Sequence, residues 1–168
     1  KWLKSYGPAV ILGVVIAVCI SVGWGYWRRH NLQEKQSASV LYINMMGAAL
    51  DNLQSDATQL GNTLSQKYPG TVYGQLANLL LAKQAVAKND LPGAQKYLQA
   101  VIAKTDINPL KQTAKVRLAQ VYIAEKKANQ ALQLLKTVDD KAFLGLIEET
   151  RGDAYAALKQ NNQAKKAY

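Results

Sequence analysis

A run of 21 uncharged residues near the N-terminus, from Gly7 to Trp27, constrains this chain more than any other feature. It reads GPAVILGVVIAVCISVGWGYW, and a helix needs roughly 20 apolar residues to cross the hydrocarbon core of a bilayer. A helix in a soluble core would carry a polar stripe, which this segment lacks. Basic and aromatic side chains flank both ends, as they do at membrane boundaries. The run therefore predicts a single transmembrane helix over residues 7–27.

Two kinds of processed leader are alternatives to a membrane helix. A cleaved signal peptide has a shorter apolar core that ends in a small-x-small cleavage site. Here the apolar run continues through Val22 and Trp24 without such a site. A lipoprotein signal would place a small residue before the modified cysteine, but Val18 precedes Cys19. Both alternatives are disfavoured, and Cys19 is interpreted as an apolar filler.

Small residues recur at every fourth position of the predicted membrane helix, namely at Ala9, Gly13, Ala17, Ser21 and Gly25. Small residues at this spacing let two membrane helices approach closely. Because such a row drifts around the helix by about 40° per step, one partner would contact only its middle. This predicts a contact face at Gly13, Ala17 and Ser21. The alternative is that glycine is simply common in membrane helices.

The rest of the chain divides into an N-terminal segment (1–6), a polar stalk (28–37) and one helical domain (38–168). The chain does not begin with Met and stops inside a helical pattern, so we expect both ends to be truncated. The net charge is +10, and four of the basic residues flank the apolar run. The remaining lysines are spread out, which is typical of a solvated surface or of one facing anionic lipid. The clustered Arg and interleaved aromatic residues of a nucleic-acid surface are absent.

Helical periodicity continues to the end of the chain, and alternating β-branched runs are absent. After the amphipathic stretch that begins at Ala38, breakers and cap signals predict helices over residues 55–67, 72–88, 91–104, 109–125, 129–138 and 141–158, and from residue 162 onward. The soluble part is therefore predicted to be all-α.

The helical hairpins repeat with spacings of 37 and 33 residues. Each copy has five marker residues: an adjacent pair and a third residue on the first helix, and two residues on the second helix. The markers are Leu81-Ala82, Ala85, Ala94 and Leu98 in the first copy, Leu118-Ala119, Tyr122, Ala131 and Leu135 in the second, and Arg151-Gly152, Tyr155, Ala164 and Tyr168 in the third. A period near 34 with this small-residue pattern indicates a tetratricopeptide-like solenoid. The small residues lie where two helices touch. The alternative is an ordinary helical bundle.

No catalytic constellation is present in the sequence. There is no glycine-rich phosphate loop and no nucleophile elbow. The single histidine, His30, and the single cysteine cannot supply a His/Cys zinc site. The acidic pairs Asp139-Asp140 and Glu148-Glu149 join adjacent residues, which point in different directions on a helix. We therefore expect a protein that is not an enzyme and that binds no cofactor or small-molecule substrate.

A surface groove remains as the candidate site. In tetratricopeptide arrays the first helix of each hairpin lines a concave face. In this register the groove is lined by Leu76, Leu79, Lys83, Val86, Val116, Gln120, Ile123, Glu149 and Asp153. Its early part is apolar and its late part acidic, which suits an extended or helical apolar segment. The alternative is that residues beyond Tyr168 fold back and fill the groove.

The order of these parts, with Ser37-Ala38-Ser39 in the stalk and TVYGQLANLLLAKQ at residues 71–84, resembles the YfgM-type ancillary subunit of the bacterial Sec translocon. The resemblance covers nearly the whole chain, and its specificity lies in that order and in Tyr73-Gly74. It implies a single-pass inner-membrane protein whose N-terminal segment (1–6) is cytoplasmic and whose helical domain faces the periplasm. It also implies association with translocon subunits and with a membrane-anchored periplasmic chaperone.

Orientation and partners are not decided by the residues themselves. Two basic residues precede the apolar run and three follow it closely (Arg28, Arg29 and Lys35), which favours a cytoplasmic domain by the positive-inside rule. The resemblance favours the periplasm, and we adopt that orientation. Two other functions stay open: a tetratricopeptide scaffold in another envelope pathway, such as outer-membrane or cytochrome maturation, and a lipid-surface protein that binds through its basic charge.

Overall fold

A computed structural model describes the backbone of residues 2–138 and 140–168, and their side chains except those of residues 2–12 and 14. These residues are helical and contain no strand, which confirms the all-α prediction. The helices are α1 (Trp2–Leu50), α2 (Gln54–Lys67), α3 (Val72–Ala87), α4 (Leu91–Lys104), α5 (Asn108–Ala124), α6 (Ala128–Leu135), α7 (Leu144–Ala157) and α8 (Asn161–Ala167). A short 3-10 helix, Lys141–Phe143, precedes α7.

The chain divides into two compact units, Lys1–Ser37 and Ala38–Tyr168. The first unit contains the N-terminal part of α1, where the large apolar side chains described between Val15 and Trp27 are exposed. Among the described residues, no helix combines the length and the apolar character needed to cross a membrane. Most side chains in the first half of the predicted membrane segment lie outside the described residues. The transmembrane helix over residues 7–27 therefore stays a prediction.

The second unit is built from helical hairpins whose turns have the same conformation. The described residues form four hairpins: the end of α1 pairs with α2, α3 with α4, α5 with α6, and α7 with α8. Each turn has one residue with positive φ, at Asn52 (59°), Asn89 (58°), Lys126 (62°) and Lys159 (60°). The next N–H donates to the carbonyl five residues back, over 2.8–2.9 Å. This is the Schellman arrangement that ends a helix through a left-handed residue.

One alanine recurs at the same place in the second helix of every hairpin. The four members, Ala57, Ala94, Ala131 and Ala164, are at most 6% exposed. The sequence markers predicted three repeats, and the structure adds a first one from α1 and α2. That repeat lacks the usual markers because Met45 replaces the small residue on the first helix and Gly61 replaces the large residue on the second. A Cβ on Gly61 would lie 3.4 Å from the Met45 sulfur. In this repeat the large side chain is therefore on the first helix and the small residue on the second, the reverse of the other repeats.

The core consists of three apolar clusters along the array. The first joins α1, α2 and α3 around Met45, Leu64 and Ala77. The second joins α3, α4 and α5 around Leu98 and Ala114. The third joins α5, α6 and α7 around Val116, Leu135 and Ile147. Each hairpin is therefore stabilised by packing against the next, as expected for a repeat array.

The largest boundary differences from the sequence prediction occur around Asp139 and Asp140. Helix α6 ends at Leu135 rather than at Val138, and the predicted start of α7 at Lys141 is the 3-10 helix. The Asp140 carboxylate accepts a hydrogen bond from the Ala142 N–H at 2.9 Å, so it caps this helical start. The carboxylate of Asp140 is favourable at this position because the first N–H groups of a helix have no internal partner. Asp139 lies outside the described residues.

Candidate functional site

An apolar slot of about 350 Å³ opens between α3 and α5. Both helices pack against α4, whose Leu91 and Leu98 line the slot, rather than closely against each other. We call this site the α3–α5 slot; its residues are Ala82, Lys83, Val86, Leu91, Leu98, Arg117, Gln120, Val121 and Ala124. Leu98 is fully buried and so marks the bottom of the slot, whereas Val86 is 46% exposed near its mouth.

Two basic side chains lie at the slot. Lys83 of α3 and Arg117 of α5 are exposed, and neither forms an ion pair with another residue in the described part of the chain. Their long aliphatic stems can lie along apolar surface while the charged groups stay in water. The combination of apolar walls and unpaired positive charge favours a ligand that brings an apolar side chain and a carboxylate.

The structure brings three of the sequence-predicted groove residues to the slot, namely Lys83, Val86 and Gln120. Four others pack into the core instead. Leu79 is 7% exposed and Leu76 packs against the same cluster. Val116 is completely buried, and Ile123 packs against its cluster. Leu76 and Leu79 belong to the cluster that α3 forms with α4 and α5. Helix α5 also packs directly on α7, so Val116 shares a core with Ile147 and Ala154.

The two predicted acidic groove residues lie apart from the slot, on α7. Glu149 and Asp153 are exposed. The Tyr168 hydroxyl donates a hydrogen bond to the Asp153 Oδ1 at 2.7 Å. This bond to the carboxylate is the main cause that raises the pKa of Tyr168, with desolvation and the negative charges of Asp153 and Glu149 adding to it. Asp153 therefore already has a hydrogen-bond partner, Tyr168.

Sequence reasoning missed Arg117, Leu91 and Leu98 as parts of the slot. Leu98 was identified as a packing residue of the second helix, which it also is. Arg117 occupies the repeat position of Leu80, a half-buried residue, so the repeat register gave no sign of a basic group there. An arginine that replaces a half-buried leucine in a repeat is the signal that could have pointed to this site.

The predicted small-residue face of the N-terminal unit is not covered by the part of the chain that the structure describes. Gly13, Ala17 and Ser21 are exposed, and a Cβ on Gly13 would meet no atom within 4 Å. Contact of this face with a partner helix stays a prediction.

Among the residues that the structure describes, no group of three or more His, Cys, Asp or Glu side chains could hold a metal ion. Cys19 is exposed on α1. The described residues bring together an apolar cavity with basic edges, and this arrangement can bind a peptide segment through burial and charge.

The fold, with its small alanines, repeated turns and slot between first helices, defines a tetratricopeptide-like interaction scaffold. Residues 1–168 match the family described as tetratricopeptide repeat-like domain. The chain is also 32% identical over 168 residues to the ancillary SecYEG translocon subunit of Escherichia coli strain K12, covering 100% of this chain and 81% of that protein. The chain belongs to the family of ancillary SecYEG translocon subunits, which confirms the resemblance to the YfgM type.

Two further relatives carry the same name. The ancillary SecYEG translocon subunit of Aggregatibacter actinomycetemcomitans is 31% identical over 170 residues, which is 99% of this chain and 81% of the relative. That of Neisseria gonorrhoeae is 25% identical over 166 residues, with 98% and 79% coverage. No solved structure matches the chain.

Proposed function

We propose that this chain is a membrane-anchored, non-catalytic subunit of the Sec translocon that holds a periplasmic chaperone through the α3–α5 slot. Membership of the ancillary subunit family supports the association with the translocon. The tetratricopeptide-like fold supports a role in protein–protein interaction. The slot itself, an apolar cavity whose basic groups have no partner in the described chain, is the observation that carries the binding role.

The anchor of this proposal is the uncharged segment 7–27. Its length and its flanking aromatic and basic residues support a single span of the inner membrane. The side chains of Val15, Ile16, Val18 and Ile20 are all at least 50% exposed, so the described residues give them little apolar cover. Several exposed aliphatic residues on one helix suit a lipid environment. The helical domain then faces the periplasm, the orientation that the family resemblance implies.

The slot supports a specific kind of ligand segment. Its apolar lining includes Val86, Leu91 and Leu98, which would bury one or two aliphatic side chains of the chaperone. Lys83 and Arg117 would pair with a carboxylate next to those side chains. We therefore propose that the chaperone contributes an acidic–apolar segment.

The test isolates the tagged full-length protein from detergent-solubilised membranes and quantifies the proteins that remain bound. We expect SecYEG and one membrane-anchored chaperone to be recovered. The double variant Lys83→Glu/Arg117→Glu should reduce chaperone recovery by about tenfold while SecYEG recovery stays the same. The control variant Lys96→Glu/Lys136→Glu reverses two exposed lysines outside the slot and should change neither. Absence of SecYEG with the unmodified protein contradicts the proposed function.

A further inference from the structure

The α3–α5 slot lies at one of three equivalent places in the described array. Each place combines two residues from the last turns of one first helix with one residue from the middle of the next first helix. In the slot these are Lys83 and Val86 of α3 and Arg117 of α5. By repeat register they correspond to Met46, Ala49 and Leu80 between α1 and α3, and to Gln120, Ile123 and Thr150 between α5 and α7.

Side chains of the chain itself fill the two flanking places. Between α1 and α3, Met46 and Leu80 are half-buried and pack against one core cluster. Between α5 and α7, Ile123 packs against its cluster and Thr150 is completely buried. The exposed member there is Gln120, which lines the slot itself. In the slot all three corresponding residues are exposed, and a cavity of about 350 Å³ remains.

Arg117 is the residue that leaves this place unfilled. It stands where Leu80 covers the core one hairpin earlier. A leucine at position 117 would bury aliphatic surface against the slot walls and stabilise the fold. The arginine gives up this stabilisation, and its guanidinium forms no ion pair in the described part of the chain. A position that forgoes stability in this way is typical of a binding site.

We propose that the bound segment supplies the missing side chain, a leucine or methionine that enters the slot, with an acidic residue beside it that pairs with Arg117 and Lys83. Arg117 is then the specificity-determining residue, because it keeps the place open and selects the carboxylate. This deepens the proposed function and rests on it, since the segment belongs to the chaperone proposed there.

The length of the side chain follows from the neighbouring places. Ile123 and Thr150 suffice where α5 packs directly on α7. Helices α3 and α5 are held apart over α4, so the entering side chain must reach Leu98 at the bottom of the slot. Leucine and methionine extend further from the backbone than β-branched residues, and both are used by this chain between α1 and α3.

The first test fills the slot with the chain's own side chains, in the full-length protein. Lys83→Met/Arg117→Leu reproduces the residue pair of the place between α1 and α3. Its midpoint of thermal unfolding should rise by about 2–4 °C. Chaperone recovery should fall at least tenfold while SecYEG recovery stays the same. The control Lys96→Met/Lys136→Leu makes the same changes at two exposed lysines outside the slot and should alter none of these three quantities.

The second test fills the slot and keeps both basic groups. Ala124 is the last residue of α5, lines the slot and is exposed. Ala124→Leu should lower chaperone recovery at least tenfold, because the added side chain competes with the ligand for space. The control is Ala157→Leu, at the same register position at the end of α7, and it should have no effect. Full chaperone recovery with Ala124→Leu overturns the inference.

Photocrosslinking identifies the segment. A photoreactive residue at position 86, near the mouth of the slot, should crosslink to a chaperone segment in which Asp or Glu is adjacent or next but one to Leu or Met. The same residue at position 157 should give no such crosslink. A crosslinked segment without this pair overturns the inference, as does a Lys83→Met/Arg117→Leu variant that is no more stable than the unmodified protein.

The two levels of the account fail separately. If Lys83→Glu/Arg117→Glu loses the chaperone but Lys83→Met/Arg117→Leu retains it, the inference is overturned and the proposed function stands. Unmodified protein that recovers SecYEG but no chaperone overturns the binding role of the slot and the inference together.

Discussion

At the scale of single residues, Gly74 is the position least tolerant of a side chain. It lies in the first turn of α3, and its N–H donates to the capping Thr71 hydroxyl at 3.1 Å. A Cβ there would overlap the backbone carbonyl oxygen of Tyr68 and lie 3.1 Å from that of Leu64. Helix propensity alone would favour Gly74→Ala by about 1 kcal/mol. We expect the steric overlap to outweigh this gain in helix propensity, so that Gly74→Ala lowers the free energy of unfolding by about 1–3 kcal/mol.

Gly70 provides the control for this prediction. It is exposed in the turn between α2 and α3, and a Cβ there would meet no atom within 4 Å. Gly70→Ala should leave the free energy of unfolding within about 0.5 kcal/mol. Denaturant unfolding of both variants, followed by circular dichroism, measures the difference. Equal stability of the two variants would contradict the close approach of Tyr68.

Tyr168 has a testable titration. Its hydroxyl donates to Asp153, which raises its pKa above the usual value of 10.0. Because the folded-state pKa is raised, the stabilising effect of this bond is complete below pH 10 and is lost as pH rises through the folded-state pKa. Asp153→Asn removes the charged acceptor, so the pKa of Tyr168 should fall towards its usual value. NMR titration of the Tyr168 ring measures both values, and an unchanged pKa in the variant would exclude the bond.

Single residues also explain what the sequence could and could not predict. The alanines at 94, 131 and 164 were identified from their spacing because only small side chains fit where two helices cross. The first repeat was missed because Met45 and Gly61 exchange the large and small sides of that contact. A search for a small residue on the first helix does not detect this exchange.

At the scale of elements, the turn after each first helix requires one left-handed residue. Asn supplies it at positions 52 and 89, and Lys at 126 and 159. A lysine pays a steric cost of roughly 1–2 kcal/mol in this conformation, which glycine avoids. Lys126→Gly should therefore raise the free energy of unfolding by up to about 1 kcal/mol.

Lys136 tests whether the backbone conformation is the cause. It follows α6 with φ of −65° and ψ of −20°, an ordinary right-handed conformation. Lys136→Gly should lower stability by about 0.5–1 kcal/mol because glycine only adds flexibility there. Opposite signs for the two lysine variants in thermal or denaturant unfolding are the expected result. A loss of stability in both would contradict the left-handed turn at Lys126.

Elements were predictable from the sequence to different extents. Periodicity and breakers placed most helix ends within one or two residues of the structure, because Pro, Gly and capping residues mark them. The end of α6 was missed because Lys136 to Val138 keep an amphipathic pattern after the helix stops. The slot was only partly predicted because it depends on the distance between α3 and α5, which both pack on α4. The repeat register gives equivalent positions but not the distance between helices.

At the scale of the whole molecule, the proposed function requires an anchor and a binding array on the correct side of the membrane. The array presents an apolar slot with basic residues. Lys83→Glu/Arg117→Glu should therefore act on the chaperone and leave the association with SecYEG unchanged.

The orientation of the array is the claim on which this function depends. Basic residues close to the apolar run favour the cytoplasm slightly, whereas the resemblance noted in the sequence implies the periplasm. The most direct measurement fuses alkaline phosphatase, which is active only in the periplasm, after Tyr168 of the full-length protein. The account predicts an active reporter, and digestion of the helical domain by protease added to spheroplasts. An inactive reporter together with a protected domain would contradict the periplasmic site of action.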